Sequence, residues 1–195
     1  MFIFVPQIGV SMMWVSDFLG KIANLKILIV AGLVFALFPG YFLPRHQAQT
    51  ESYSSEVGFV DLCFFPETER IYEIAEAYGE EGRRATIASW LTLDIIWPLV
   101  SSFFFLVCLN LCLGKVHGAK GSRLSLAALL PLAFDYGENL MGILVMTAYP
   151  ERLQAAALGM SAFNGLKWVS FGVVGILLLY GLGTLAIRFF FKKRV

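Results

Sequence analysis

Charge is what this sequence has least of. Only 15% of its 195 residues are Asp, Glu, Lys or Arg, against about 25% in an ordinary soluble domain. Neither sign prevails, since 15 Lys and Arg face 14 Asp and Glu for a net charge of +1. That balance leaves no basic footprint for nucleic acid. Low charge joined to 58% hydrophobic residues excludes a disordered chain, which needs the opposite composition. It also excludes a water-soluble globular enzyme, because a chain this size still exposes much of its surface and one core cannot hide so many apolar groups. Three cysteines cannot complete a disulfide framework. Cys63 stands alone in a polar region, and Cys108 and Cys112, four apart in an apolar run, read as small packing residues.

Chemical motifs are scarce too. There is no Gly-x-Ser-x-Gly, phosphate loop or dinucleotide fingerprint. His46 and His117 fall in separate loops, and no His/Cys spacing suits a metal. Neither a cofactor nor a metal is expected.

Long apolar runs are what the chain does have. Four approach or exceed the roughly 20 residues of a bilayer-spanning helix, at about 22–43, 86–113, 124–149 and 164–191. The expected fold is all-α: a four-helix transmembrane bundle forming one integral membrane domain over residues 1–195. Pro98 and Pro131 fall inside two spans and predict kinks, since neighbouring helices can satisfy the freed backbone groups. Residues 1–20 mix apolar patches with Pro6, Gln7 and Asp17 and lack the basic start and cleavage site of a signal peptide. They read as a helix lying in the membrane interface, in preference to a fifth span.

Basic residues near helix ends set orientation. Lys21, Lys26, Lys115, Lys120, Arg123, Arg188, Lys192, Lys193 and Arg194 fall on one side of a four-span bundle, and the other six basic residues on the opposite side. Both termini are therefore expected in the cytoplasm, although Arg83 and Arg84 pull mildly the other way. The loop 44–85 would then lie outside, with nine of the 14 acids. Within it Ile71, Ile74, Ala75 and Tyr78 recur at helical spacing and Gly79 follows as a stop. A short amphipathic helix over about 66–78 is expected, resting on the bundle or the lipid. The acids read as a solvated face or as part of a lid.

A few charges stand where they are costly. Ionisable side chains near the bilayer centre usually face the protein interior and pair. Asp94, Asp135 and Glu138 are deep, and Lys167 is the nearest base. Asp135, Glu138 and Asn139 at i, i+3 and i+4 share one helix face. Asp94 heads a small, weakly polar stripe through Pro98, Ser101, Phe105, Cys108 and Cys112, all within about 40° on a helical wheel. At about 1.5 Å per residue Asp94 lies about 12 Å from the outer helix end, Glu138 and Asn139 about 15–16 Å, and Asp135 about 21 Å. Lys167 starts about 5 Å down. A polar cluster of Asp94, Asp135, Glu138, Asn139 and Lys167 is expected in the outer half of the bundle. Gly172, Gly175, Gly181 and Gly183 in the last span read as close-packing positions.

Together, Tyr78-Gly79-x-x-Gly82-Arg83, Asp94-x-x-x-Pro98, Asp135-Tyr136-x-Glu138-Asn139 and Lys167-Trp168 resemble a group of small four-helix membrane proteins with no assigned activity. The resemblance spans Tyr78 to Trp168 and implies the four-span fold. It implies no reaction and no site residue.

The cluster can lock helices together through polar contacts. Acids this close cannot all ionise comfortably, so one carries a proton. The leading expectation is a non-enzymatic membrane protein whose cluster organises the bundle and offers a site to a cation, a proton or a partner. Its rivals are an intramembrane enzyme using carboxylate acid–base chemistry on a lipid-borne substrate, and a small transporter. The lipid bilayer is the first partner, with a membrane-protein partner or a second copy of the chain as further possibilities.

Overall fold

The computed structural model describes residues 18–45, 57–59 and 62–192. Among them there is no strand, and four helical runs are long and apolar enough to cross a bilayer: Leu25–Arg45, Gly79–His117, Ala119–Ala148 and Gln154–Phe191. The protein is an all-α four-helix bundle. Its outer surface carries large apolar side chains such as Leu25, Ile176, Leu179 and Phe190, each at least 66% exposed. A surface like that calls for lipid rather than water.

Helix α1 (Leu25–Leu37) is capped by the Asn24 side chain, which accepts from the Ile27 N–H at 3.0 Å. It continues through a π-helical turn, Phe38–Phe42. Ala31 is its sole buried residue. Phe35 stacks on Trp97 and Phe104, at 5.2 and 4.6 Å between ring centres, which fixes α1 to the outside of the bundle.

The segment between the first two spans holds helix α2 (Thr68–Ala77), with Ile71, Tyr72, Ile74 and Ala75 buried. Arg152 holds it from the far turn, pairing with Glu69 at 2.8 Å and covering the Tyr72 ring. Burial pushes the Tyr72 phenol above its usual range; the Arg152 charge opposes this and Glu69 adds to it. Gly79 ends α2 at φ +62°, a conformation only glycine adopts without strain. The chain turns there into α3 (Gly79–Trp90), and Arg83 donates back to the Ala75 carbonyl at 2.9 Å.

The second span therefore differs from the expected start at residue 86. A helix already begins at Gly79 and breaks at Leu91–Thr92 before α4 (Leu93–Leu109). The Thr92 hydroxyl donates to the Ala88 carbonyl at 2.6 Å, a local bond that competes with helix continuation. Past α4, a π-helical turn (Asn110–Gly114) and a single turn (Lys115–His117) lead to α5 (Ala119–Leu124). Helix α6 (Leu130–Ala148) and the 39-residue α7 (Gln154–Lys192) complete the bundle. At about 1.5 Å per residue α7 is about 58 Å long, nearly twice a bilayer core. It starts ten residues before the expected 164, because Ala155, Ala156, Ala157 and Leu158 are strong helix formers and Ala156, Ala157 and Met160 pack on the α2 core.

Two apolar cores result. One, at the end capped by α2, gathers Ile71, Ile74, Trp90, Val145 and Met160 among others. The second, at the opposite end, contains Leu19, Leu106, Leu109, Leu113, Ala128 and Val174. Leu19 belongs to a helical stretch over 18–22, and its carbonyl accepts from buried Asn110 at 2.7 Å. The expected interfacial helix over 1–20 lies almost wholly outside the described residues.

Glycine packing departs from expectation. Space for a Cβ is open at Gly172, Gly175 and Gly183; of the four expected positions Gly181 alone is tight, 2.8 Å from Cys112 Cβ. Closest approach occurs instead at Gly165, where a Cβ would lie 1.9 Å from the Phe65 ring, at Gly121, 2.0 Å from the Leu113 carbonyl oxygen, and at Gly142, 2.6 Å from the Trp90 ring. Gly142→Ala should cost about 1–3 kcal/mol by overpacking, and Gly121→Ala more, because backbone cannot step aside. Gly172→Ala should instead stabilise by about 0.5–1 kcal/mol. Melting of the three variants in micelles tests this ranking.

Candidate functional site

Between the two cores lies a polar layer. On α6, Asp135, Glu138 and Asn139 share a face as expected, and α7 places Lys167 opposite them. The Lys167 ammonium is 2.6 Å from Glu138 Oε2 and 3.3 Å from Asp135 Oδ1. Glu138 is fully buried and the Lys167 side chain 7% exposed, while Asp135 keeps 17%. Burying two such charges is unfavourable unless geometry is good and the remaining lone pairs are used. Here they are used: Asn164 Nδ2 donates to Glu138 Oε1 at 2.9 Å, and Asn139 Nδ2 donates to Asp135 Oδ2 at 3.4 Å.

Asn164 is the site residue that the sequence reading missed. It is fully buried, three positions before Lys167, so both lie on one face of α7. That spacing was the available signal, hidden because Asn164 sat at the supposed start of the span. Asn164 also ties in the segment before α2, because the Phe65 N–H donates to its Oδ1 at 3.2 Å. Phe65 adopts φ +48° and lays its ring over Gly165.

The layer borders a cavity of about 230 Å³. Asp94, Asp135 and Lys167 are the charged residues among its described lining, and Asn139 joins them. All five expected residues thus converge, four on the cavity wall and Glu138 just behind. Asp94 reaches the wall differently from the expected depth of about 12 Å, or about two turns. The break at Leu91–Thr92 puts it in the first turn of α4, where the helix dipole favours negative charge. Pro98 and Ser101 follow it, both buried, so this part of the expected small stripe faces inward. Cys112 is buried and Cys108 half-buried, both as free thiols.

Apart from Thr86, Ser89 and Ser101, the rest of the wall is apolar and aromatic. Trp90, Trp97, Trp168 and Phe171 line it, and Phe59 and Leu62 close it from the segment before α2. Lys167 Nζ stands 5.9 Å from the centre of the Trp168 ring, within cation–π range. Tyr136 donates its hydroxyl to the Ile95 carbonyl at 2.8 Å, holding α6 to the first turn of α4. Among the described residues no three His, Cys, Asp or Glu side chains converge as metal ligands.

No protein-family model matches this chain, nor does any curated protein or solved structure. The site is read from its own geometry.

Formally the layer holds three carboxylates and one ammonium. Lys167→Met would strand Glu138 and Asp135 without their cation, a loss of about 3–5 kcal/mol. Glu138→Gln should cost less, since Lys167 keeps Asp135 and the amide can still accept from Asn164. Equal losses on thermal unfolding in micelles would contradict this arrangement.

Proposed function

We propose that this is a non-enzymatic multi-pass membrane protein, with both termini cytoplasmic, whose polar layer organises helix packing and whose cavity takes up a cation or a proton. One observation carries the reading: the Lys167 ammonium bridges Glu138 and Asp135 beside a cavity whose further described charge is Asp94. Among the described charges of the layer three carboxylates face one ammonium, and with one acid protonated the carboxylates still exceed it. In a low-dielectric setting such an excess attracts a positive partner strongly. The acid–base enzyme has a narrower basis, because both oxygens of Glu138 are engaged by Lys167 and Asn164 and the chemistry would fall to Asp94 or Asp135.

A ligand that binds only the folded protein raises its stability, by about 2.7 kcal/mol at a hundredfold excess over Kd. The full chain in neutral detergent should melt higher as sodium, potassium, guanidinium or tetramethylammonium chloride is titrated in, and Asp94→Asn should lose that gain. General salt effects act on both proteins, so the difference between them is the readout. No difference with any cation would sink the cation-site reading.

Orientation is supported by Lys115, Lys120, Arg123 and Arg188 meeting at one end of the bundle, where Arg188 donates to the Val116 carbonyl at 3.2 Å, while the acidic α2 caps the other. In a Cys63→Ser background, a membrane-impermeant maleimide added to intact cells should label Glu76→Cys and spare Lys120→Cys. The reverse pattern would invert the topology.

A further inference from the structure

The cavity has a chemical character beyond its charge. Three indoles line it, together with the Asp94 and Asp135 carboxylates. Trp97 is fixed from behind by Phe35 and Phe38, at 5.2 and 5.1 Å between ring centres. Trp168 already has one ammonium, that of Lys167, near its ring. Carboxylates beside indole faces form the environment in which alkylated ammonium ions are recognised, because the ring quadrupole attracts a cation that is poorly hydrated. A small hard cation instead needs several converging oxygens, and the described acids do not converge that way.

Size and surroundings agree. At about 230 Å³ the cavity is far larger than the roughly 30 Å³ of one water, yet below the roughly 300–1,000 Å³ of drug-sized sites. It suits a head-group-sized ion. Asp94 and Trp97 also line an adjoining cavity of about 100 Å³ whose other walls include Phe38, Pro39 and Phe42. That apolar annex would accept a carbon stem attached to the ion. An anion would meet Lys167 but also two carboxylates on the same wall, so charge selects against it.

We propose that the cavity is a binding site for an organic ammonium group, held between the carboxylates of Asp94 and Asp135 and the indoles of Trp97 and Trp168. The proposal rests on the cation-site reading and names its ligand class. The ammonium is carried either by a lipid head group or by a free amine.

Tetramethylammonium chloride is the probe, titrated into the purified full-length protein in neutral detergent with melting and tryptophan emission as readouts. Saturable binding is expected, stronger than for sodium or potassium. Asp94→Asn should weaken it about tenfold, and Trp168→Leu about tenfold, with Trp168→Phe between Leu and wild type. Trp168 is 38% exposed, so these variants keep the fold, and the order Trp, Phe, Leu follows ring electrostatics rather than packing alone. If sodium or potassium alone separates wild type from Asp94→Asn, the cation site stands and the ammonium proposal falls. It falls equally if tetramethylammonium binds but Trp168→Leu is indifferent. If no cation separates them, both fall. Nanodiscs distinguish the source: a phosphatidylcholine head group competing for the site lowers probe affinity about tenfold relative to phosphatidylglycerol discs, whereas equal affinity assigns the site to a free amine.

Discussion

A single buried ammonium governs this bundle. Lys167 sits between Glu138 and Asp135 at 2.6 and 3.3 Å, with its own side chain only 7% exposed, so a lost partner is poorly replaced. In lipid the apolar faces of helices gain little by meeting one another, so association leans on packing and polar contacts. Lys167 supplies the strongest of those contacts across the α6–α7 hairpin. Its position fixes the register of the two helices, since sliding either by one turn, about 5.4 Å, would separate the charges. The apolar pairs along the hairpin, Phe163 over Gly137 level with the layer and Met141 over Gly159 one turn towards the hairpin turn, then fall into place.

The polar layer also explains why the bundle has two apolar cores rather than one. At the capped end α2 lays Ile71, Ile74 and Ala75 on Met146, Ala157 and Met160. At the other end Leu106 and Leu109 of α4 and Leu113 of the π-helical turn that follows it meet Val174 and Ala128. Neither core needs α1, in which Ala31 alone is buried and which is attached through Phe35 and its aromatic neighbours. Stability thus resides in α2, α3, α4, α6 and α7, and α1 acts as a flank to the cavity.

How much of this was legible in the sequence differs from residue to residue. Asp135, Glu138 and Asn139 announced a shared face because a helix repeats every 3.6 residues, and a lone Lys167 in an apolar run had to find an acid. The spans were legible because apolar length reports directly on bilayer thickness. The break at Leu91–Thr92 was not, since no proline or glycine marks it and the Thr92 hydroxyl bond to Ala88 depends on local backbone geometry. Asn164 was hidden for another reason: its partner Glu138 lies 26 positions away, and pairing across a hairpin is a tertiary fact. The glycines of α7 show the converse. Small residues permit close approach but do not cause it, so Gly172 and Gly183 face open space, while Gly165 on the same helix, and Gly121 and Gly142 elsewhere, are crowded.

The cluster is also coupled to the segment that covers it. Phe65 donates to Asn164, Asn164 donates to Glu138, and Glu138 meets Lys167, which in turn reaches Asp135 on the cavity wall. Phe59 and Leu62, just before Phe65, are part of that wall. Movement of the covering segment and rearrangement of the buried charges are therefore linked through one chain of hydrogen bonds. A positive occupant near Asp94 and Asp135 would draw on the same carboxylate that steadies Lys167, and the strain would pass to Glu138 and Asn164 before reaching Phe65. Linkage requires the reverse as well: whatever holds the segment down at Phe65 would weaken the hold on such a cation. The acids that are expensive to bury are thus joined by one chain of polar contacts to the segment that covers the bundle's capped end.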